Sequence, residues 1–384
     1  MRRTRVRWGI VTVLFLVTTI NYADRATLSI TASDISKQYG VNTVVMGYLF
    51  SAFGWSYVLA QLPGGWMLDR FGAKRTYVWS LVLWSIFTLF QGAMGFFITS
   101  AATAIVTLFV ARFCVGIAEA PSMPANSRIV ATWFPASERG IGVGLFNSAQ
   151  YFATALFIPV MSSLTFHFGW EYTFIFMGTV GLLFVPIMIK FINSPSKNRR
   201  INQAELDYIR EGGALDDSKP AVSTANKSNL SSWACFKQLM SNRMMVGIFL
   251  GQYCIGTLTY FFLTWFPVYL VKERGMSILK VGFVAVLPAL CGCLGSLVGG
   301  AFSDRLLKGG CSLSVARKTP IVAGMLLSTS MVICNYVSTD FVVVAVMALA
   351  FLGKGIGALG WTVLVDTAPK EIMGFTCGVF NFFG

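Results

Sequence analysis

Charge is what this sequence has least of. Only 12% of its 384 residues are Asp, Glu, Lys or Arg, and the mean hydropathy is +0.67. A chain so poor in charge cannot face water all round, which excludes an ordinary soluble globular protein and leaves a polytopic membrane protein. Histidine is nearly absent, His167 being the single one, and the eight cysteines include no Cys-x-x-Cys pair, so no zinc site is expected, nor any other metal or cofactor. Cys114, Cys254, Cys291, Cys293, Cys334 and Cys377 fall in apolar runs and Cys235 and Cys311 in connectors, which argues against an extracellular disulfide framework. Acids are scarce too, 16 against 30 Lys and Arg, for a net charge of +14. The basic residues stand in the gaps between apolar runs, where they encode orientation in a bilayer, so a nucleic-acid partner is not expected.

What the chain has in quantity is apolar runs. The first, from about Trp8 to Ile30, carries Asp24 and Arg25 and closes on no small-residue cleavage site, so it reads as a transmembrane helix rather than a leader. Others lie at roughly 46–68, 76–97, 101–124, 139–163, 170–191, 244–270, 281–302, 319–337 and 341–365. Each is long enough to span the hydrocarbon layer. A further helix begins near Ile372, and its run up to Gly384 is too short to cross. The expectation is an all-α membrane protein with ten complete spans and a partial eleventh. Lys37, Lys272, Arg274 and Lys280 fall on one side, Arg25, Arg112 and Lys354 within spans, and the other Lys and Arg on the opposite side, so the amino terminus is expected to be cytoplasmic.

The polar connector at about 193–243, Ser/Asn-rich over Ser223 to Ser232, divides the chain into an amino-terminal six-helix bundle, 1–192, and a second bundle, 244–384. The halves repeat each other. Gly64-Gly65 and Asp69-Arg70 return as Gly299-Gly300 and Asp304-Arg305, a shift of 235, as does Gly47-Tyr48 in Gly282-Phe283. Pro135, Gly140, Gly144, Phe146 and Asn147 return as Pro369, Gly374, Gly378, Phe380 and Asn381, a shift of 234. Two pseudo-repeated six-helix bundles are therefore expected, and the repeat implies a continuation of roughly forty residues beyond Gly384.

Several positions carry chemistry. An Asp at a helix end beside basic residues can pair with neighbouring helix termini, so Asp69, Arg70 and Arg75, echoed by Asp304 and Arg305, are candidates for a gate. An ordinary positive-inside turn would need the basic residues but not an Asp-Arg pair recurring at the duplication spacing. Ionisable groups within spans cost about 2.5 to 3.5 kcal/mol each, so Asp24, Arg25, Arg112, Glu119 and Lys354 need a reason. Ion pairs between helices would be one; a carboxylate that grips Arg when ionised and releases it when protonated would be another. Tyr22, Tyr57, Gln61, Asn147, Gln150 and Trp361 supply hydroxyl, amide and indole groups suited to a polyhydroxylated ligand, although each taken singly fits an interhelical hydrogen bond as well. Gly355 to Gly360 matches G-x-G-x-x-G without a preceding strand and reads as helix packing or bending, not as a dinucleotide site.

Asn21 to Arg25 (NYADR), Asp69 to Arg75 (DRFGAKR), Arg112 to Ala120 (RFCVGIAEA) and Trp133 to Gly140 (WFPASERG) together resemble the anion:cation symporter family of the major facilitator superfamily. Within it, Gln252 to Cys254, Thr264 to Leu270 and Gly353 to Trp361 are most similar to bacterial sugar-acid permeases of the glucarate and galactarate type, with hexuronate and galactonate permeases as near relatives. The resemblance covers the chain outside the connector and implies proton-coupled import of an organic anion by alternating access. It implies that Arg25 holds a substrate carboxylate, that Tyr22, Tyr57, Gln150, Trp361 and Asn381 contact the sugar acid, that Asp24 and Glu119 carry protons, and that Arg112 engages an ionised acid. Lys354 enters from its chemistry alone, as a cation on the other bundle facing a second carboxylate. The partners implied are a small organic anion, protons and lipid, and a monomer is expected. Each charge moved against the membrane potential costs about 2.3 kcal/mol per 100 mV, so a dianion needs accompanying protons, two of them for electroneutrality. A facilitative uniporter or an exchanger would share the fold; an enzyme would need a nucleophile, metal or proton-transfer constellation, and none is present in the sequence.

Overall fold

The computed structural model describes residues 3–215, 232–260, 270, 274–275, 284, 286–337 and 339–384. Among them every regular element is a helix, and nine helical segments are long and apolar enough to cross a membrane. The expected span at 244–270 is described only as far as Tyr260, and Gly282-Phe283, Thr264 to Tyr269, Lys272, Lys280 and most of the Ser/Asn-rich connector lie outside the described residues.

The first part of the chain forms α1 (Val6–Tyr39), α2 (Thr43–Phe71), α3 (Ala73–Met94), α4 (Ala101–Glu119), α5 (Ser122–Trp133), α6 (Arg139–Phe168) and α7 (Trp170–Phe191). At 34 residues α1 is about 50 Å long, well beyond a hydrocarbon layer of about 30 Å, so it tilts or projects. The Asn42 side chain caps α2 by accepting from the Val45 amide at 2.8 Å. Gly72, at φ +82, turns the chain from α2 into α3, a conformation that a side chain would strain. The span expected at 101–124 runs on to Trp133 as α4 and α5, interrupted at Ala120-Pro121 where proline removes a helical N–H. Every residue of α5 is buried, and the hydrophobic boundary of the run therefore did not mark its end.

Beyond α7 come the connector helices α8 (Gln203–Glu211) and α9 (Ser232–Ser241), then α10 (Arg243–Tyr260), α11 (Val286–Lys308), α12 (Leu313–Ser328), α13 (Asp340–Gly357), α14 (Gly360–Thr367) and α15 (Met373–Phe383). The run expected at 341–365 is broken at Ala358-Leu359 between α13 and α14, the bend that the Gly355 to Gly360 series permits. Apolar side chains such as Leu59, Trp79, Phe97 and Leu183 are more than 60% exposed, whereas Asp24, Arg112, Glu119 and Lys354 are at most 4% exposed. That inversion of the water-soluble pattern is what a lipid solvent dictates.

Among the described residues the halves meet most extensively along two helix pairs, α6 against α11 and α2 against α15. Both crossings are built on facing glycines. A Cβ on Gly65 would stand 2.5 Å from the Gly374 carbonyl oxygen, and one on Gly140 would stand 2.7 Å from the Gly300 carbonyl oxygen. Small residues let the backbones touch where no hydrophobic effect drives helices together. The repeat read from the sequence is thus spatial as well: each half presents its duplicated Gly-Gly segment to the duplicated helix start of the other.

Candidate functional site

At one end of these crossings the duplicated aspartates meet helix starts. Asp69, near the end of α2, accepts from the backbone N–H groups of Gly374 and Phe375 at 2.9 and 2.8 Å. Asp304, near the end of α11, accepts from those of Gly140 and Ile141 at 3.0 and 2.8 Å. First-turn amides have no acceptor within their own helix and carry the positive end of its dipole, so each carboxylate caps a helix of the opposite half. The flanking residues Arg70, Arg75 and Arg305 are not the ionic partners: all three are exposed, and Arg70 lies over Trp66 at 5.0 Å. Their direction along the helix end points them outward. The guanidinium groups come from elsewhere, Arg128 reaching Asp69 at 2.6 Å and Arg317 reaching Asp304 at 2.8 Å. Asp366 then ties Arg317 at 2.9 Å to Arg139 at 2.6 Å. Read as topology charges in the sequence, Arg128, Arg139 and Arg317 are all at least nine-tenths buried here, and only the presence of an acid, Asp366, at a basic span end hinted at it.

The connector joins this end. Glu205 on α8 is fully buried and accepts from Thr4 Oγ1 at 2.6 Å, the Val6 amide at 3.1 Å and Arg7 Nη1 at 2.9 Å. Arg7 also pairs with Glu138 at 3.0 Å, and Tyr208 donates to Glu138 at 2.9 Å. Burial first, and then this hydrogen bond to a carboxylate, raise the Tyr208 phenol above its ordinary pKa of 10.0.

Midway along the spans a second cluster forms. Arg25 Nε pairs with Glu119 Oε2 at 2.8 Å, and its guanidinium lies 4.6 Å from the Tyr57 ring, 4.9 Å from Tyr22 and 5.2 Å from Phe53. Arg112 is not the acid's partner; it donates to the Arg25 carbonyl at 2.8 Å, stacks 5.0 Å over Phe53, and makes no ion pair among the described residues. Spacing of seven put Arg112 and Glu119 on one face, but α1 inserts Arg25 between them and the shorter reach wins. Asp24 accepts from Thr88 Oγ1 at 3.0 Å. Two acids and two arginines are therefore gathered in one cluster, with the Arg25 side chain 21% exposed.

The expected ligand contacts divide. Asn381 donates to Tyr57 Oη at 2.8 Å, bringing α15 to the Arg25 cluster. Asn147 donates to the Ala358 carbonyl at 3.1 Å, where the helix break exposes it, and Gln150 donates to the Asn147 carbonyl at 3.1 Å. Lys354 donates to Tyr151 Oη at 2.6 Å. Gln61 is wholly buried with neither side-chain polar atom hydrogen-bonded among the described residues, and Trp361, 5% exposed, packs edge-on against Phe380 at 4.7 Å in the apolar core. Thr88, Phe53 and Tyr151 were missed because hydroxyl and aromatic side chains in spans are too common to single out.

Residues 14–384 match the sequence profile of the Major Facilitator Superfamily. The chain belongs to the major facilitator superfamily. Among its relatives, the probable galactarate/D-glucarate transporter GudP of Bacillus subtilis is 58% identical, the match covering all of this chain and 83% of that protein. GarP of Escherichia coli, another probable galactarate/D-glucarate transporter, is 54% identical over 98% of this chain and 85% of that protein. The D-galactonate transporter of E. coli O6:H1 is 38% identical over 99% and 86%. In fold, the chain superimposes with a TM-score of 0.75 on the proton:xylose symporter XylE bound to 6-bromo-6-deoxy-D-glucose, at 16% identity, covering all of this chain and 86% of that one. As a major facilitator protein it is a multi-pass membrane transporter rather than an enzyme.

Proposed function

We propose that this chain imports a sugar acid of the galactarate or glucarate class together with protons by alternating access. The observation that carries the reading is the Arg25–Glu119 pair. Arg25 is the cation beneath Tyr22, Tyr57 and Asn381, where hydroxyl and amide groups meet an aromatic wall, and a buried acid already occupies its Nε. Protonation of Glu119 weakens that pair and frees the guanidinium for a substrate carboxylate, so proton and anion enter together. Asp24, buried beside it on Thr88, is the second proton site, and Arg112 steadies the cluster from the Arg25 carbonyl. Two protons against a dianion leave the cycle electroneutral and independent of the membrane potential. Relatives named for galactarate and D-glucarate support the substrate class.

In this reading the basic end holding Asp69 and Asp304 is cytoplasmic, in the inner membrane, and the carboxylate caps are the gate that holds it shut. Residues 1–192 and 244–384 are the two moving bundles, 193–243 tethers them, and one chain suffices for transport. Glu119→Gln tests the coupling. In proteoliposomes it should abolish accumulation of labelled galactarate driven by a pH gradient while sparing galactarate exchange, and undiminished pH-driven accumulation would remove Glu119 from the mechanism.

A further inference from the structure

Lys354 is a buried cation of the second half, 3% exposed in the last turn of α13. Unlike Arg25, it has no carboxylate within ion-pair distance among the described residues. Its ammonium donates to Tyr151 Oη at 2.6 Å and lies 4.8 Å from the centre of the same ring. The carbonyl groups that end α13 at the break before Ala358 present the negative pole of that helix to its last turn, where Lys354 lies. Tyr151 is held in place by a notch: a Cβ on Gly292 would stand 2.7 Å from its ring. It sits one turn beyond Asn147 on α6, next to Gln150, and α6 packs along α1, the helix that carries Tyr22 and Arg25. Two cations, Arg25 on α1 and Lys354 on α13, thus flank α6, which carries Asn147, Gln150 and Tyr151.

We propose that the Lys354 ammonium, positioned by Tyr151, receives the second carboxylate of a sugar diacid whose first carboxylate is held by Arg25, and so selects diacids over mono-acids. The inference rests on the sugar-acid reading above. An ammonium has three donors and the phenol oxygen uses one, leaving donors for a carboxylate. A mono-acid with a terminal hydroxymethyl group forgoes the charge-assisted bonds, at a cost of roughly tenfold to a hundredfold in affinity.

Galactarate and galactonate differ in that one terminal group, and their dissociation constants are measured by ligand-induced thermal stabilisation of the purified chain. Wild type should bind galactarate tenfold or more tightly than galactonate, by roughly the factor given above. Lys354→Gln should weaken galactarate tenfold or more and galactonate far less, so that the preference is lost. Lys354→Arg should keep the preference, and Tyr151→Phe should lower it in part without loss of galactonate binding. If the ratio in Lys354→Gln equals that of wild type, or both ligands weaken together, the proposal is overturned while the sugar-acid reading stands. Should Lys354→Gln not fold, an undiminished ratio in Tyr151→Phe is decisive against it. If neither ligand binds wild type, the broader reading fails as well.

Discussion

Asp304→Asn should loosen both caps, although it touches only one. In wild type the carboxylate takes two backbone N–H bonds and one from Arg317. A carboxamide keeps one acceptor oxygen, and its NH2 meets either a backbone donor or the guanidinium, so at least one charge-assisted bond is lost. Such a bond contributes about 1.5 to 3 kcal/mol. Arg317 retains Asp366 at 2.9 Å, which spares the larger penalty of an unpaired buried cation and sets the expected loss near the low end, about 2 kcal/mol. That corresponds to roughly a thirtyfold rise in the open population. Hydrogen exchange followed by mass spectrometry reads it. The peptide around Gly140 must exchange faster because its acceptor is changed; the informative peptide is the one around Gly374 and Phe375, capped by Asp69 in the other crossing. If the two crossings open as one gate, its exchange rises by the same roughly thirtyfold factor. Faster exchange at Gly140 with none at Gly374 would refute the single gate.

Three further outcomes follow from the same geometry. Gly65→Ala places a methyl against the Gly374 carbonyl and should cost the closed crossing about 1 to 3 kcal/mol, seen as faster exchange around Gly374 with little change in the cluster at Arg25. Glu205→Gln weakens the buried bond to Arg7 but leaves Arg7 its Glu138, so thermal stability should fall by about 1.5 to 3 kcal/mol, with tryptic cleavage in the connector accelerated; unchanged cleavage would mean that α8 is held by other contacts. Tyr208 has a raised pKa, so its contribution to docking α8 is present below the ordinary phenol value of 10.0 and is lost as pH rises through the higher, folded one. The tyrosinate absorbance difference between wild type and Tyr208→Phe should therefore have its midpoint above 10.0, and a midpoint at or below it would contradict the hydrogen bond to Glu138.

The reach of sequence reasoning varied with the kind of feature. Span existence followed from run length and composition, because lipid demands both. Span ends did not: α5 continues the fourth span through Ser122, Asn126 and Arg128, polar residues that protein rather than lipid surrounds. The Asp69 and Asp304 positions were legible from duplication, yet their partners were not. Arg70, Arg75 and Arg305 are adjacent in sequence and point away, whereas Arg128 and Arg317 arrive from other helices. In the membrane interior the ionisable residues stood out by their cost, but the pairing of Glu119 with Arg25 instead of Arg112 depended on how α1 lies against α4.

By itself the sequence determined that this is a duplicated, helical membrane protein with ionisable groups buried in its spans, since hydrophobic length, charge asymmetry and repeat spacing are properties of the chain. Only the tertiary structure decided which charges meet. Ion pairs and helix caps act over about 3 Å, and whether two residues come that close is set by helix crossings at Gly65–Gly374 and Gly140–Gly300 that are far apart along the chain.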